Sequence, residues 1–557
     1  MMVIFCFRKP FGMLLVLSFL LLPLSCVTTE NIRTAKQKTP SATIYNAKDM
    51  SAAVEIKPMT PQAVSLPEKG PLKTTVKDAI LIALENNRSL TVERLNPSIQ
   101  QTFEDQERAV FDPTIEAEVS AQRNDSQSQT RSGSDTESSV NDVYHGSISL
   151  KEFFPSGTFV EADAITERTD SSLYNEAFSS TRLGLSVTQP LLRGYGTDVN
   201  LAQLRQSQLE TNITQYELRG FSESLLAQVE TTCWDYALSQ RRIEIVEESL
   251  KLTRQQIAET EEMIRVGTMA EAELAAVQAE VAAQQQDLIN AKSALESTRL
   301  LLLRLLNPPG QTLWYRDIDL VHLPALPEIK LDAVGAHVAV AMKMRPEINQ
   351  AKLSIQQEDL EIVYTKNGLL PRMDLFITLG KTGYADSFSG SVSNITGDSH
   401  DAMVGLNFEY PIFNREAKAQ HRRALLRRDQ AEIALDNLKQ LIELDVRKAY
   451  IEINRTKEQI SAGTATLKFQ KEKLRIEIEK FRVGLSTNFF VAQAQRDLLA
   501  SRINEVQAVV NYLKALNNFY RLEGSLLKRR GIIAPGCDPV EYSINRNSQT
   551  YSSQTEN

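Results

Sequence analysis

An apolar residue recurs at every seventh position through Tyr236, Ile243, Leu250, Ile257 and Ile264. The same spacing returns 217 residues later at Ile453, Ile460, Leu467, Leu474 and Phe481. Each series runs into the same three residues, Arg265-Val266-Gly267 in the first and Arg482-Val483-Gly484 in the second. A seven-residue apolar repeat keeps one seam of a helix turned toward a partner and favours coiled-coil packing. A glycine at its end lets the chain reverse. The chain is therefore expected to build the same long helical hairpin twice, over about 197–306 and about 414–526. At ~1.5 Å per residue, the first helix of each hairpin reaches on the order of 100 Å, too long for one globular core.

The duplication extends upstream of the helices. Arg345-Pro346-Glu347 aligns with Arg88-Ser89-Leu90 at an offset of 258, which also sets Pro371 on Pro113. The offset falls to 221 where Tyr410-Pro411 meets Gln189-Pro190, so the first copy is 37 residues longer, and the surplus reads as an extra hairpin over about 148–165. Ahead of each long helix, apolar residues alternate with polar ones. Ile115, Ala117, Val119 and Ala121 do so in the first copy, as do Leu375, Ile377 and Leu379, then Val404, Leu406 and Phe408, in the second. That period of two marks strands. The polar stretches 124–139 and 166–181 read as exposed loops between them. Near 10 residues, such alternation suits a tilted transmembrane strand. So few strands cannot close a barrel alone, and an open edge in lipid leaves backbone groups unpaired, so several chains are expected to share one barrel.

The resulting organisation is a signal peptide (1–25), an N-terminal tether (26–71), a first repeat (72–310; strands about 114–189), a connector (311–330), a second repeat (331–527; strands about 372–410) and a disordered tail (528–557). In the signal, Arg8 and Lys9 precede an apolar run from Phe11 to Leu22, too short for a spanning helix, followed by Leu24-Ser25-Cys26. A cysteine after the cut resembles a bacterial lipoprotein signal, with Cys26 as the lipidated residue, although Pro23 stands where that pattern has Leu. The plainer alternative is a secretory signal with an incidental cysteine. The net charge of −8 argues against nucleic acid as a partner. Five scattered histidines without metal-ligand spacing, and the lack of a phosphate loop or nucleophile elbow, point to no enzyme, no metal and no cofactor.

Two longer segments carry a resemblance. Gly184-Leu185-Ser186-Val187-Thr188-Gln189-Pro190-Leu191-Leu192-Arg193-Gly194 precedes the first long helix, and Gly405-Leu406-Asn407-Phe408-Glu409-Tyr410-Pro411-Ile412-Phe413 the second. Together with Arg345-Pro346-Glu347, both Arg-Val-Gly turns and Ala494-Gln495-Arg496, they make the chain resemble the TolC family of outer-membrane efflux proteins from about residue 75 to 527. The resemblance implies an α+β membrane protein built from two internal repeats. It would be a homotrimer in the bacterial outer membrane, with a shared antiparallel β-barrel in lipid and a long α-helical coiled-coil barrel across the periplasm. It implies a periplasmic adaptor and an inner-membrane pump as partners, and export of small molecules or metal ions as the function. The same kind of channel serving type I protein secretion is one alternative. A non-channel periplasmic coiled-coil protein is another.

By the same resemblance the hairpin tips receive the adaptor, here at Arg265, Val266, Gly267 and Thr268 and at Arg482, Val483, Gly484 and Leu485. The plain alternative is that each glycine only caps a helix. Family members often carry aspartates six and nine residues past the second tip glycine, where this chain has Phe490 and Gln493. Glu273, six residues past Gly267, offers a carboxylate for a ring at the mouth, and Phe489 or Phe490 an apolar constriction that gates by dewetting. Helix packing is the competing reading for both phenylalanines.

Overall fold

The computed structural model describes residues 71–129, 136–172, 176–309, 313–320, 329–536 and 538–541. All fall within one compact unit, Ala63–Asn557. The signal segment, Cys26, most of the tether, residues 321–328 of the connector, Cys537 and residues 542–557 lie outside the described residues.

Strand β1 (Leu72–Thr74) leads into helix α1 (Val76–Asn86). Thr75 and Asp78 form a reciprocal capping box there, Asp78 N–H donating to Thr75 Oγ1 and Thr75 N–H to the Asp78 carboxylate, each at 3.2 Å. Two short helices follow, α2 (Arg88–Glu93) and α3 (Asn96–Arg108). Pro97 in the first turn of α3 has no N–H and cannot continue the preceding helix. Four long strands follow: β2 (Thr114–Gln129), β3 (Thr136–Phe153), β4 (Phe159–Ser171) and β5 (Phe178–Pro190). Much of the two stretches expected as loops is therefore strand. Alternating hydrophobicity reveals only the apolar part of a strand, whereas Ser, Thr, Asn and Gln beyond it still complete the antiparallel ladder.

Helix α4 (Ala202–Arg265) follows a short helical turn over Thr197–Asn200, held by Asn200, whose side-chain amide donates to the carbonyls of Pro155, Gly194 and Gly196. It reverses into α5 (Ala272–Leu306). The second half runs β6 (Ile318–Leu320), α6 (Val334–Met344), α7 (Pro346–Gly368), β7 (Arg372–Ala385) and β8 (His400–Glu409), then α8 (Arg415–Arg482) and α9 (Asn488–Glu523). Strand β6 lies parallel to β1, Leu72 opposite Ile318. Around that pair sits the main core, where α1 and α6 cover the middle of the long helices with Leu72, Ile82, Leu226, Leu303, Ile348 and Phe519 almost fully buried. Residues 528–536 and 538–541, within the segment expected as disordered tail, pack back onto α4 and α7. Buried Arg219 donates to the carbonyls of Gly524 and Gly536, Lys352 to that of Val540, and Val540 N–H to Asn349. The composition is that of a tail, but its backbone groups are met by buried donors and acceptors, and Ile532 and Ala534 rest on the core.

The long strands form one six-stranded antiparallel meander, β2-β3-β4-β5-β7-β8. Its centre joins the two halves of the chain, Ser179 opposite Ala385 through Pro190 opposite Asp374. One rung comprises Ile115, Leu150, Ala162, Leu185, Leu379 and Ala402; the adjacent rung comprises Glu116, Ser149, Asp163, Gly184, Gly380 and Asp401. Neighbouring rungs project to opposite faces, so the sheet is apolar on one face and polar on the other across all six strands. Its two edge strands, β2 and β8, run antiparallel to each other.

Candidate functional site

Both hairpin tips are Schellman turns. Gly267 has φ of 78°, Gly484 of 77°, a conformation that strains residues with a Cβ. Gly267 N–H donates to Ile264 O at 3.0 Å and Thr268 N–H to Met263 O at 2.9 Å; Gly484 N–H donates to Phe481 O at 3.0 Å and Leu485 N–H to Lys480 O at 2.8 Å. These bonds satisfy carbonyls that the helix end would otherwise leave unpaired. Each glycine therefore caps its helix. What surrounds the cap goes further: Val266, Val483 and Leu485 are well exposed, and open space lies above both glycines. Arg265 pairs with Glu262 and Arg482 with Glu479, one helical turn back. Each tip thus presents an apolar point on a charged collar.

The mouth candidates occupy different settings. The Glu273 carboxylate accepts a hydrogen bond from Asn488 N–H at 3.1 Å, so it caps the start of α9 from the other hairpin, where an anion is favoured. Phe489 and Phe490 meet edge to face at 5.5 Å between ring centres and remain about half exposed. Gln493 is exposed on the same helix.

Between the tips and the core lies a group that the apolar seam conceals. Val246, Thr253 and Thr260 on α4 are also seven apart and are fully buried, whereas Ile257 and Ile264 are only partly covered. Thr253 donates to Gln284 at 3.3 Å, Gln284 to Glu280 at 2.9 Å, and Arg496 reaches the same Glu280 at 2.6 Å. Gln256 donates to the side chain of Asn488 at 3.1 Å, and Asn488 to Thr260 at 3.5 Å. Near the tips, these hydrogen bonds join the two hairpins alongside buried Val277, Val491 and Ala494. The signal was present as a second heptad with Thr in it, which a search for apolar periodicity passes over.

On the polar face of the sheet, Lys151 bridges Glu116 and Glu161, binding β2, β3 and β4. Arg182 forks between Asp163 at 3.6 Å and Asp401 at 2.9 Å, across β4, β5 and β8. It lies over Gly184 and Gly380, opposite each other in the ladder, where a Cβ on either would strike the guanidinium and the adjacent carboxylate.

The sequence matches the family described as outer membrane efflux protein over residues 79–308 and 338–525. The chain belongs to that family. It is a family of efflux proteins of the outer membrane and not of enzymes. Over 188 residues the chain is 25% identical to the outer membrane efflux protein BepC of Brucella suis biovar 1 (strain 1330), a match covering 34% of this chain and 38% of that protein's length. The fold is similar to that of the outer-membrane channel OprN, at a TM-score of 0.62 and 18% identity over 81% of this chain and 89% of that one. It is likewise similar to the CmeC outer membrane channel of Campylobacter jejuni, at 0.61 and 15% identity over 83% and 91%. The outer membrane protein VceC of Vibrio cholerae matches at 0.60 and 14% identity over 81% and 96%. Among the described residues of this family member no helix is long and apolar enough to cross a membrane.

Proposed function

We propose that this efflux-family chain is the outer-membrane channel of a tripartite export system. Three copies would share one β-barrel, and cargo from an inner-membrane pump and a periplasmic adaptor would leave through their common tunnel. The observation that carries this reading is the six-stranded sheet, apolar on one face, polar on the other and unpaired along both edges. In hydrocarbon every backbone N–H and C=O needs a partner, so such a sheet is complete only when other copies close it into a ring. The helical hairpins lie at the end of the sheet where β2 begins and β8 ends, which sets their tips on the side opposite the strand loops. The exposed Val266-Gly267 and Val483-Gly484-Leu485 points then face a partner, and the adaptor's own helical hairpin is the partner they fit. Glu273 caps α9 at that end, and the half-exposed Phe489–Phe490 pair supplies the apolar ring of the mouth.

Planar-bilayer recording of the purified full-length protein tests the channel. Discrete conductance steps are expected, and their absence would leave only a linker protein. The anchor reading adds that Cys26 carries lipid, so Cys26→Ser should abolish labelling by a radioactive fatty acid; persistent labelling places the lipid elsewhere.

A further inference from the structure

We propose that all six strands of each copy, the β2–β3 hairpin included, lie in the bilayer. Strand β2 of one copy then pairs with β8 of the next, so that three copies close an eighteen-stranded barrel. This deepens the channel reading above and rests on its trimer.

The apolar band does not stop at β4. It runs without a break from Ile115 and Leu150 through Ala162 and Leu185 to Leu379 and Ala402. Val119 on β2 is 90% exposed and Val404 on β8 is 69% exposed, so the two edges carry the same uncovered apolar surface on the same face. Were β2 and β3 outside the membrane, Ile115, Val119, Ile148 and Leu150 would form an apolar patch in water with no covering element. The opposite face repeats as well. Lys151 between Glu116 and Glu161 does for β2–β4 what Arg182 between Asp163 and Asp401 does for the rest. Every strand of the sheet has at least the 10 residues of β8, enough to cross hydrocarbon when tilted. Five antiparallel steps separate β2 from β8, so the edge of one copy meets that of the next in the antiparallel sense that closed barrels use.

The consequence is a wide exit. Barrel diameter grows roughly in proportion to strand number, and sixteen to eighteen strands leave an aqueous channel. Four strands per copy would give a bore about two-thirds as wide. An exit of that width, lined by carboxylates and forked cations, suits bulky hydrated cargo.

Full-length protein in phosphatidylethanolamine–phosphatidylglycerol vesicles tests this. Single cysteines at Val119, Glu118 and Val404 in a Cys537→Ser background are labelled with bimane, with nitroxide-bearing lipid as quencher and the parent chain as blank. Quenching at Val119→Cys equal to that at Val404→Cys, and several-fold above Glu118→Cys, is expected. Quenching at 404 without quenching at 119 puts the β2–β3 hairpin outside the bilayer and overturns the proposal while sparing the channel. Quenching at neither removes the membrane sheet and the channel with it. In addition, double-cysteine chains pairing Ile115, Ala117 or Val119 with Val404, Leu406 or Phe408 should oxidise to covalent trimers. If no pair does so, β2 is not the closing edge.

Discussion

Glu223 lies inside α4, 3% exposed, with Arg219 Nε at 3.4 Å. Burial pushes its carboxyl up to about 7, against the pull of Arg219. A carboxyl whose folded pKa is raised favours the fold while protonated. The contribution is full below about 4.5, the unfolded value, and is lost as pH rises through about 7. A shift of that size is worth about 3 kcal/mol at most. Thermal melting of the helical circular-dichroism signal should therefore fall in midpoint from pH 5 to pH 8, and Glu223→Gln should flatten that part of the curve. At the tips, φ near 78° makes Gly267→Ala and Gly484→Ala cost about 1–2 kcal/mol each. Asp and Asn tolerate this conformation better, so Gly267→Asp with Gly484→Asp should leave trimers intact and abolish cross-linking to the adaptor. The paired Asn variant separates charge from bulk. Unchanged cross-linking in the Asp variant would sink the docking assignment.

At the scale of elements, two of the seams between the halves of the chain can be tested separately. The first is β5 against β7, pinned by Arg182 over the facing Gly184 and Gly380. Arg182→Ala leaves Asp163 and Asp401 without their shared cation, and partial exposure holds the loss near ~1 kcal/mol. Gly380→Val should cost more, because the new side chain occupies the space of the guanidinium. The readout is the temperature at which trimers come apart on semi-native gels. It should fall slightly for the first variant and further for the second; the reverse order would deny the glycine pair its spacing role. The second seam is α4 against α9 near the tips. Asn488 is fully buried there, and Asn488→Ala strands Gln256 and Thr260, at a cost of about 1–3 kcal/mol per unsatisfied group. Hydrogen exchange should quicken in α4 around residue 256 and at the start of α9, with the core near Leu226 and Phe519 unchanged. Uniform exchange in both places would mean that the polar cluster does not hold the hairpins.

For the whole molecule, the parts legible in sequence were those governed by local rules. The heptads around Leu250 and Leu467 and the glycines after each Arg-Val pair announced two hairpins, and alternation announced strands at Ile115 and Val404. Polar residues that are structured were missed. Thr136–Ser139 and Phe178–Thr181 extend strands, Thr253 and Thr260 are core, and residues 528–536 and 538–541 dock on α4 and α7. Their signal is not hydrophobicity but satisfied hydrogen bonding, which depends on a partner distant in the chain. Glu273 is the clearest case. By spacing alone it is a free carboxylate near a tip, whereas the fold brings Asn488 N–H, 215 residues away, onto it. The sequence by itself determined the two long hairpins, their glycine turns and the existence of membrane-length strands, because periodicity and backbone conformation are properties of neighbouring residues. Only the tertiary structure decided that the strands form one six-membered, two-faced sheet with two free edges, that Arg182 bridges its halves, and that hydrogen bonds close the space between the tips. Register, edge and buried polar pairing arise between segments far apart in the chain, and no local pattern encodes them.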